Sequence, residues 1–361
     1  MNLLRQTISV VVLAGVAFAQ KPHVGNTKLE ELAASGGLKA TLDSVLQKEA
    51  GTLWIGYRIP TAAKQRSMCC YDSWDDSRNM VGRCCACKIE SERGVSMNNG
   101  SACSGPEPLP YAFVFLRAEA RQIGRVRVYS ADCPLEFADL PLFWLDDVRP
   151  EQSVELLTSL ALRGDAQGES RKKEPGRQAV MAIALHDIPA ADQALEKLIQ
   201  PEQPLELREN VAFWLGVERG KKGLELLRKY VKNDSDVRLR KRGTFAFSQS
   251  KEREALDDLI GIAHNDPSPS VRGEAIFWLA QIGSRKEAEQ ITAAIENDPE
   301  TEVKKKAVFA LSQMHDGQGV PLLINLAKTN KNPAVRKQAI FWLGQSRDPR
   351  ALNFLEEILT K

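Results

Sequence analysis

Val271-Arg272-Gly273-Glu274-Ala275-Ile276-Phe277-Trp278-Leu279-Ala280-Gln281 is one of five copies of a phrase that returns every 32 residues. The others run Leu207-Arg208 to Gly216, Leu239-Arg240 to Gln249, Val303-Lys304 to Gln313 and Val335-Arg336 to Gln345. Phe213, Phe245, Phe277, Phe309 and Phe341 fall in one column. The next column reads Trp214, Ala246, Trp278, Ala310, Trp342, and the one after it Leu215, Phe247, Leu279, Leu311, Leu343. A fixed period in this range marks stacked units, each burying its apolar face only against its neighbours. Such an array is a long surface for contact, and the period alone does not say with what.

Within one unit, Asp266-Pro267-Ser268-Pro269-Ser270 is a helix-start signal of short polar caps and first-turn prolines. Val271, Ala275, Trp278, Leu279 and Ile282 then share one helical face. Gly283-Ser284 breaks the helix, and Ala288, Ile291, Ala294 and Ile295 give the inward face of a second. Helices of about 12 residues, ~18 Å long, are marginal alone, so packing between units must hold them. The unit is an αα-hairpin. The register extends backwards: Ala179, Met181 and Ile183 precede Val211, Phe213 and Leu215 by 32 residues. Phe143-Trp144-Leu145 with Val154-Glu155-Leu156-Leu157 repeats the spacing of Phe213-Trp214-Leu215 with Leu224-Glu225-Leu226-Leu227. The polar stretch 164–175 between these copies reads as a loop insertion. The expected architecture is mainly α: an α-α solenoid of about seven hairpins over residues 141–361, the first two irregular.

The spacing Asp-x-x-x-x-Val-Arg-x-x-Ala-x-x-x-Leu, as in Asp266, Val271, Arg272, Ala275 and Leu279, resembles the HEAT repeat, in particular its short bacterial kind. The resemblance covers roughly residues 143–361. It implies a superhelix in which Asp234, Asp266 and Asp298 form a hydrogen-bonded ladder with Arg240, Arg272, Lys304 and Arg336. Lys304, Asn330 and Glu202 depart from the pattern, so their rungs should be weaker. It further implies that second helices line the concave face, turning Arg228, Asp257, Asp258, Glu289, Asn325 and Glu356 toward a protein or peptide. Some such repeats occur in bilin lyase subunits, and nothing outside the repeats supports that activity here.

Residues 1–19 read as a secretory signal. Arg5 supplies a basic start, residues 8–16 the apolar core, and Ala17-Phe18-Ala19 a cleavage site, so a secreted or periplasmic location is expected. No later stretch approaches the length of a membrane span. With 49 Lys+Arg against 47 Asp+Glu, bulk charge gives no case for nucleic acid. Locally, Arg240-Lys241-Arg242, Lys304-Lys305-Lys306 and Arg336-Lys337 open first helices. They read either as a solvated face plus the ladder or as a contact line for an acidic partner.

Residues 20–140 differ in kind and read as a small α+β domain capping the first unit. Residues 28–49 carry helical segments broken at Gly36-Gly37, and residues 52–60 alternate as a half-buried strand. Residues 111–117 and 124–130 are two further strands joined by a short turn. All seven cysteines, Cys69, Cys70, Cys84, Cys85, Cys87, Cys103 and Cys133, lie here. In an exported protein they are structural disulfide candidates, stapling a loop poor in apolar residues, with one left over. The alternative seats thiol-redox or metal chemistry in the loop Cys69–Cys103, where Cys84 and Cys87 form a Cys-x-x-Cys. His23, His186, His264 and His315 are scattered, and no phosphate loop, zinc-protease or nucleophile-elbow motif occurs. The chain therefore reads as a binding scaffold, not an enzyme, with no cofactor. Phe354, Leu355 and Leu359 in the last helix offer an apolar edge for self-association.

Overall fold

The computed structural model describes residues 21–22, 24–25, 27–61, 67–69, 87–90, 96–98, 110–131, 133, 135–163, 175–283 and 285–360. Residues 1–19, read above as a secretory signal, residues 164–174 of the expected insertion, and Cys70, Cys84, Cys85 and Cys103 lie outside these residues.

The front of the chain comprises β1 (Val24–Gly25), β2 (Leu29–Ala33), α1 (Leu38–Lys48), β3 (Leu53–Pro60), β4 (Ser67–Cys69), β5 (Cys87–Lys88) and β6 (Ser96–Asn98). The hairpin β7 (Tyr111–Glu119) and β8 (Gln122–Ser130) follows, then β9 (Leu135–Glu136) and β10 (Leu142–Asp146). Five strands form the main sheet in the order β2-β10-β3-β7-β8. β10 runs parallel to both its neighbours and the rest is antiparallel.

Two expectations change here. Residues 143–145 are a central strand and not the first helix of a hairpin, and residues 29–33 are a strand and not helical. Five consecutive apolar-rich residues fit a doubly buried strand as well as a buried helix, and periodicity cannot separate the two. Phe143 and Leu145 enter one core while Leu142 and Trp144 enter the other. β3 is likewise buried on both faces, not half-buried. Gly56 on β3 is required where rings cross it, because a Cβ there would lie 2.7 Å from the Phe115 ring.

After α2 (Pro150–Leu162) come six hairpins, not seven, among the described residues. They are α3 (Pro175–Leu185) with α4 (Pro189–Leu198), α5 (Leu205–Glu218) with α6 (Gly220–Tyr230), and α7 (Val237–Gln249) with α8 (Arg253–Asn265). Then come α9 (Pro269–Ile282) with α10 (Arg285–Asn297), α11 (Thr301–Ser312) with α12 (Gly319–Thr329), and α13 (Pro333–Gln345) with α14 (Pro349–Leu359). Gly283 ends α9 in the left-handed conformation, φ 74°, which glycine adopts without a Cβ clash. Among the described residues no helix is long and apolar enough to cross a membrane.

One core runs from α1 through one face of the sheet and along every hairpin to Phe354. The sheet therefore covers the first unit with apolar contact, α2 meeting β3 and α3 meeting β8. The opposite sheet face closes over Ile89, Leu135, Phe137 and Cys133. Cys133 is buried there as a disulfide sulfur.

The hairpins form two layers of unequal spacing. The first helices α3, α5, α7, α9, α11 and α13 pack side by side, while successive second helices barely meet. In a curved stack the closer layer is the inner one. The first helices therefore line the concave side and the second helices the convex side, the reverse of the expected arrangement. Small residues permit the close approach of α5 and α7. A Cβ on Gly216 of α5 would lie 2.2 Å from the Ala246 carbonyl oxygen of α7, so the two backbones touch.

Candidate partner-binding face

The charged columns are consumed inside the stack. The Arg240 guanidinium donates through Nε and Nη2 to the Asp266 carboxylate at 2.9 and 3.0 Å. Arg272 does the same to Asp298 at 2.7 and 3.0 Å, and Arg208 pairs with Asp234. Each aspartate also accepts a turn amide, from Asp236, Ser268 or Glu300, at 2.8 Å. The carboxylates beside Arg240 and Arg272 raise both guanidinium pKa values against the opposing effect of burial. Burial pushes the Asp298 carboxyl up, but the Arg272 fork and the Glu300 amide outweigh it and leave it lowered. At the next rung Asn330 still accepts the Asn332 amide at 2.9 Å. Lys304 turns instead to the carbonyls of Ile295 and Glu296, at 2.9 and 2.6 Å, and Arg336 to that of Asn330 at 2.8 Å. These groups hold repeat to repeat and present nothing to a ligand.

The residues expected to meet a partner sit on the second helices, hence on the convex side. Asp258 is buried and held by Arg228 and Lys232, both at 2.6 Å. Asp257 pairs with Lys286 at 3.2 Å, and Glu289 with Arg285 at 3.4 Å. Asn325 and Glu356 are exposed. A cleft of about 300 Å³ beside them, lined by Lys232, Asn233, Arg240 and Gly261 among others, contains cations already engaged by Asp258 and Asp266. In α14 Phe354 is buried, while Leu352, Ile358 and Leu359 are exposed.

The concave side carries what the repeat period implied but did not assign. The five phenylalanines of the recurring column project from the first helices, four of them half-buried and Phe341 exposed. Phe213 stacks on Phe245 with centroids 5.6 Å apart, and Phe277 on Phe309 at 6.4 Å. Trp278 fills the interval beside Phe245 at 4.5 Å, and Trp342 that beside Phe309 at 4.9 Å. The alternation of tryptophan with alanine thus gives an unbroken aromatic strip from α5 to α13. The indole N–H groups of Trp278 and Trp342 are buried in it and find no acceptor among the described residues.

Cations and amides border the strip. Arg242 lies over both Phe213 and Phe245, 5.1 and 5.3 Å from the centroids. Burial against the rings lowers its pKa, and Arg177 adds repulsion against the pull of Glu209. The Lys306 stem crosses Gly273, where a Cβ would meet it at 2.6 Å. The acids of this face are already engaged, Glu209 by Arg238 at 3.0 Å, Glu274 by Lys241 at 3.8 Å and Glu302 by Lys305 at 2.8 Å. Among the described residues Arg242, Lys306 and Lys337 make no ion pair. Four residues beyond each phenylalanine from α7 onward stands a glutamine: Gln249, Gln281, Gln313 and Gln345. Gln249 and Gln313 are oriented alike, each Nε2 donating to the preceding serine hydroxyl, at 3.3 and 3.1 Å. The glutamine column was visible at a spacing of 32, but an isolated surface glutamine carries no chemical signal.

A serine–histidine contact lies elsewhere. Tyr57, Ser153 and His186 form a buried chain where β3, α2 and the end of α3 meet. The Nδ1–H of His186 donates to the Ala182 carbonyl at 2.7 Å, leaving Nε2 to accept from Ser153 at 3.0 Å. Burial, chiefly, lowers the imidazole pKa to about 4, so it stays neutral. All three side chains are sealed from solvent, and the arrangement joins the sheet to the first hairpin. Arg219 completes that joint, donating to the carbonyl of His186 at 2.7 Å and to Asp192 at 2.8 Å. Among the described residues no group of three or more His, Cys, Asp or Glu could hold a metal ion.

Comparison with known proteins matches residues 288–361 to the family of HEAT repeats. These residues are HEAT repeats. The 32-residue register continues the same HEAT hairpin back to α5. No curated protein matches the chain. Among solved structures, human deoxyhypusine hydroxylase in complex with glycerol is 15% identical, covering 57% of this chain and 89% of that one at a TM-score of 0.25. The complex of CpcE and CpcF of phycocyanin lyase from Nostoc sp. is 20% identical, with 44% and 99% covered and a TM-score of 0.32. Importin beta is 15% identical, with 54% and 28% covered and a TM-score of 0.27. None of these likenesses transfers an activity, ligand or partner to the HEAT array.

Proposed function

We propose that this protein is an exported, non-enzymatic HEAT scaffold that binds another protein or peptide through the concave face of its first helices. The reading is carried by the aromatic strip from Phe213 to Phe341, which stays partly open to solvent beside cations that make no ion pair among the described residues. Half-buried aromatic and arginine side chains are the groups that dominate protein interfaces when truncated. The convex side offers less, because its conspicuous charges pair across neighbouring hairpins. The front domain supports the role by closing one end of the array. Export follows from the order of basic, apolar and small residues in positions 1–19.

The test is site-specific photocrosslinking in cells that make the protein. A benzophenone side chain at Gln281 or Gln313, on the concave side, should yield a discrete crosslinked species that is absent with the same group at Glu289 or Asn325. Crosslinks confined to Glu289 and Asn325 would place the partner on the convex side and overturn the proposal.

A further inference from the structure

Resting on the scaffold reading, we infer that the concave face takes an acidic peptide segment in extended conformation, laid along the aromatic strip. Three independent features converge on this occupant. The phenyl rings stack in two of the four intervals, 5.6 and 6.4 Å apart, close to the about 6.6 to 6.8 Å that separates alternate side chains along a strand, and a tryptophan spans each of the other two. One turn of a helix has nearly the same rise, so spacing alone does not choose between the two.

The glutamines choose. A carboxamide offers one acceptor and two donors, the complement of a backbone C=O and N–H. A helix has already paired those groups internally, whereas a single extended strand presents them unpaired. Gln249 and Gln313, two repeats apart, are fixed in the same attitude by Ser248 and Ser312, whose hydroxyls donate to the carbonyls of Phe245 and Phe309 at 2.8 and 2.7 Å. Carboxamides pre-oriented at every second repeat lose less freedom on binding a strand.

Charge supplies the third constraint. Arg242, Lys306 and Lys337 stand beside the strip without ion pairs among the described residues, while Glu209, Glu274 and Glu302 are each engaged by a neighbouring cation. A carboxylate placed over Arg242 or Lys306 gains a partner without displacing one among the described residues, whereas a cationic side chain meets Glu209, Glu274 and Glu302 already paired. The segment therefore alternates acidic residues, meeting the cations and glutamines, with apolar residues laid over the open side of the aromatic strip.

The experiment uses the full chain and fluorescein-labelled decapeptides followed by anisotropy. The probes are a peptide alternating glutamate with leucine, its lysine–leucine counterpart, and the glutamate peptide N-methylated on alternate backbone amides. The glutamate peptide should bind and weaken as salt is raised. Methylation in the register that faces the glutamines, Gln313→Ala and Lys306→Glu should each weaken it by about tenfold, a usual cost for an interface contact. Gln313 and Lys306 are exposed, so these variants keep the fold, and Glu289→Ala on the convex side should change nothing. Indifference to methylation in both registers overturns the extended conformation and points to a helical occupant. Equal or tighter binding of the lysine peptide overturns the acidic assignment. Failure of every peptide, with concave crosslinks still forming in cells, overturns this inference and leaves the scaffold reading standing. Failure of both removes the two together.

Discussion

The rung between Arg272 and Asp298 can be set against a weaker rung in the same molecule. Both side chains are almost fully buried, 8% and 4% exposed, and the carboxylate also accepts the Glu300 amide. Asp298→Ala removes the counter-charge and the turn acceptor together. Stranding a buried guanidinium in this way costs roughly 3–5 kcal/mol. Asp298→Asn keeps the turn acceptor, as Asn330 does naturally, and loses the charge, so the cost should fall to roughly 1–3 kcal/mol. Adding Arg272→Lys rebuilds the Lys304–Asn330 rung one repeat earlier. The new ammonium would reach the carbonyls eight and nine residues back, as Lys304 reaches Glu296 and Ile295, and recover about 1 kcal/mol. Urea denaturation followed by circular dichroism measures all four proteins. The carboxyl of Asp298 is held below its ordinary 3.8. Its stabilisation is therefore complete above that pH and disappears as pH falls through the folded value. Asp298→Asn should flatten the acid limb of the stability profile. A cost below about 1 kcal/mol for Asp298→Ala, the range of exposed ion pairs, would refute a ladder that binds repeat to repeat.

Other outcomes follow from the same geometry. His186, neutral when folded with a pKa of about 4 against an ordinary 6.5, contributes stability that is complete above pH 6.5. That contribution declines as pH falls towards 4, by about 3 kcal/mol in all. His186→Gln should abolish this part of the pH dependence, and an unchanged slope between pH 7 and pH 5 would exclude the assignment. Gly216→Ala forces a methyl to within 2.2 Å of the Ala246 oxygen, which should cost at least about 1–3 kcal/mol. Gly344→Ala, with open space around the added carbon, should be neutral or slightly stabilising through helix propensity. Similar midpoints for the two variants would mean that α5 and α7 do not touch. Intact-mass measurement after alkylation under native and reducing conditions should find one reactive thiol among the seven cysteines if the rest are disulfide staples. Stoichiometric metal, or several free thiols in the purified protein, would contradict the expected stapling.

The repeat region was legible because its register is written in types of residue, not in identities alone. Phe277, Leu279 and Ile291 return at a period that only stacked hairpins satisfy, and the turns are marked by aspartate, proline and glycine. The front domain was partly legible. The β7–β8 hairpin shows its alternation and its polar turn, but Phe143-Trp144-Leu145 mimics the phrase of a repeat while lying in a sheet. Its strand character comes from β2 and β3 on either side, one of them about a hundred residues distant in sequence. Sequence cannot weigh that pairing against a local helix. His186 read as one of four scattered histidines, because its partners Ser153 and Tyr57 come from an earlier helix and the sheet.

By itself, then, the sequence determined that helical hairpins stack in a fixed register and that phenylalanine recurs at one position in five of them. The tertiary structure decided which way the stack bends. Both helices of a hairpin are amphipathic and either can serve as the inner layer. The choice follows from how closely like helices approach, which small residues such as Gly216 and Ala246 set through backbone contact. That bend converts a column of rings into an aromatic strip on the concave side and sends the acidic residues of the second helices to the outside.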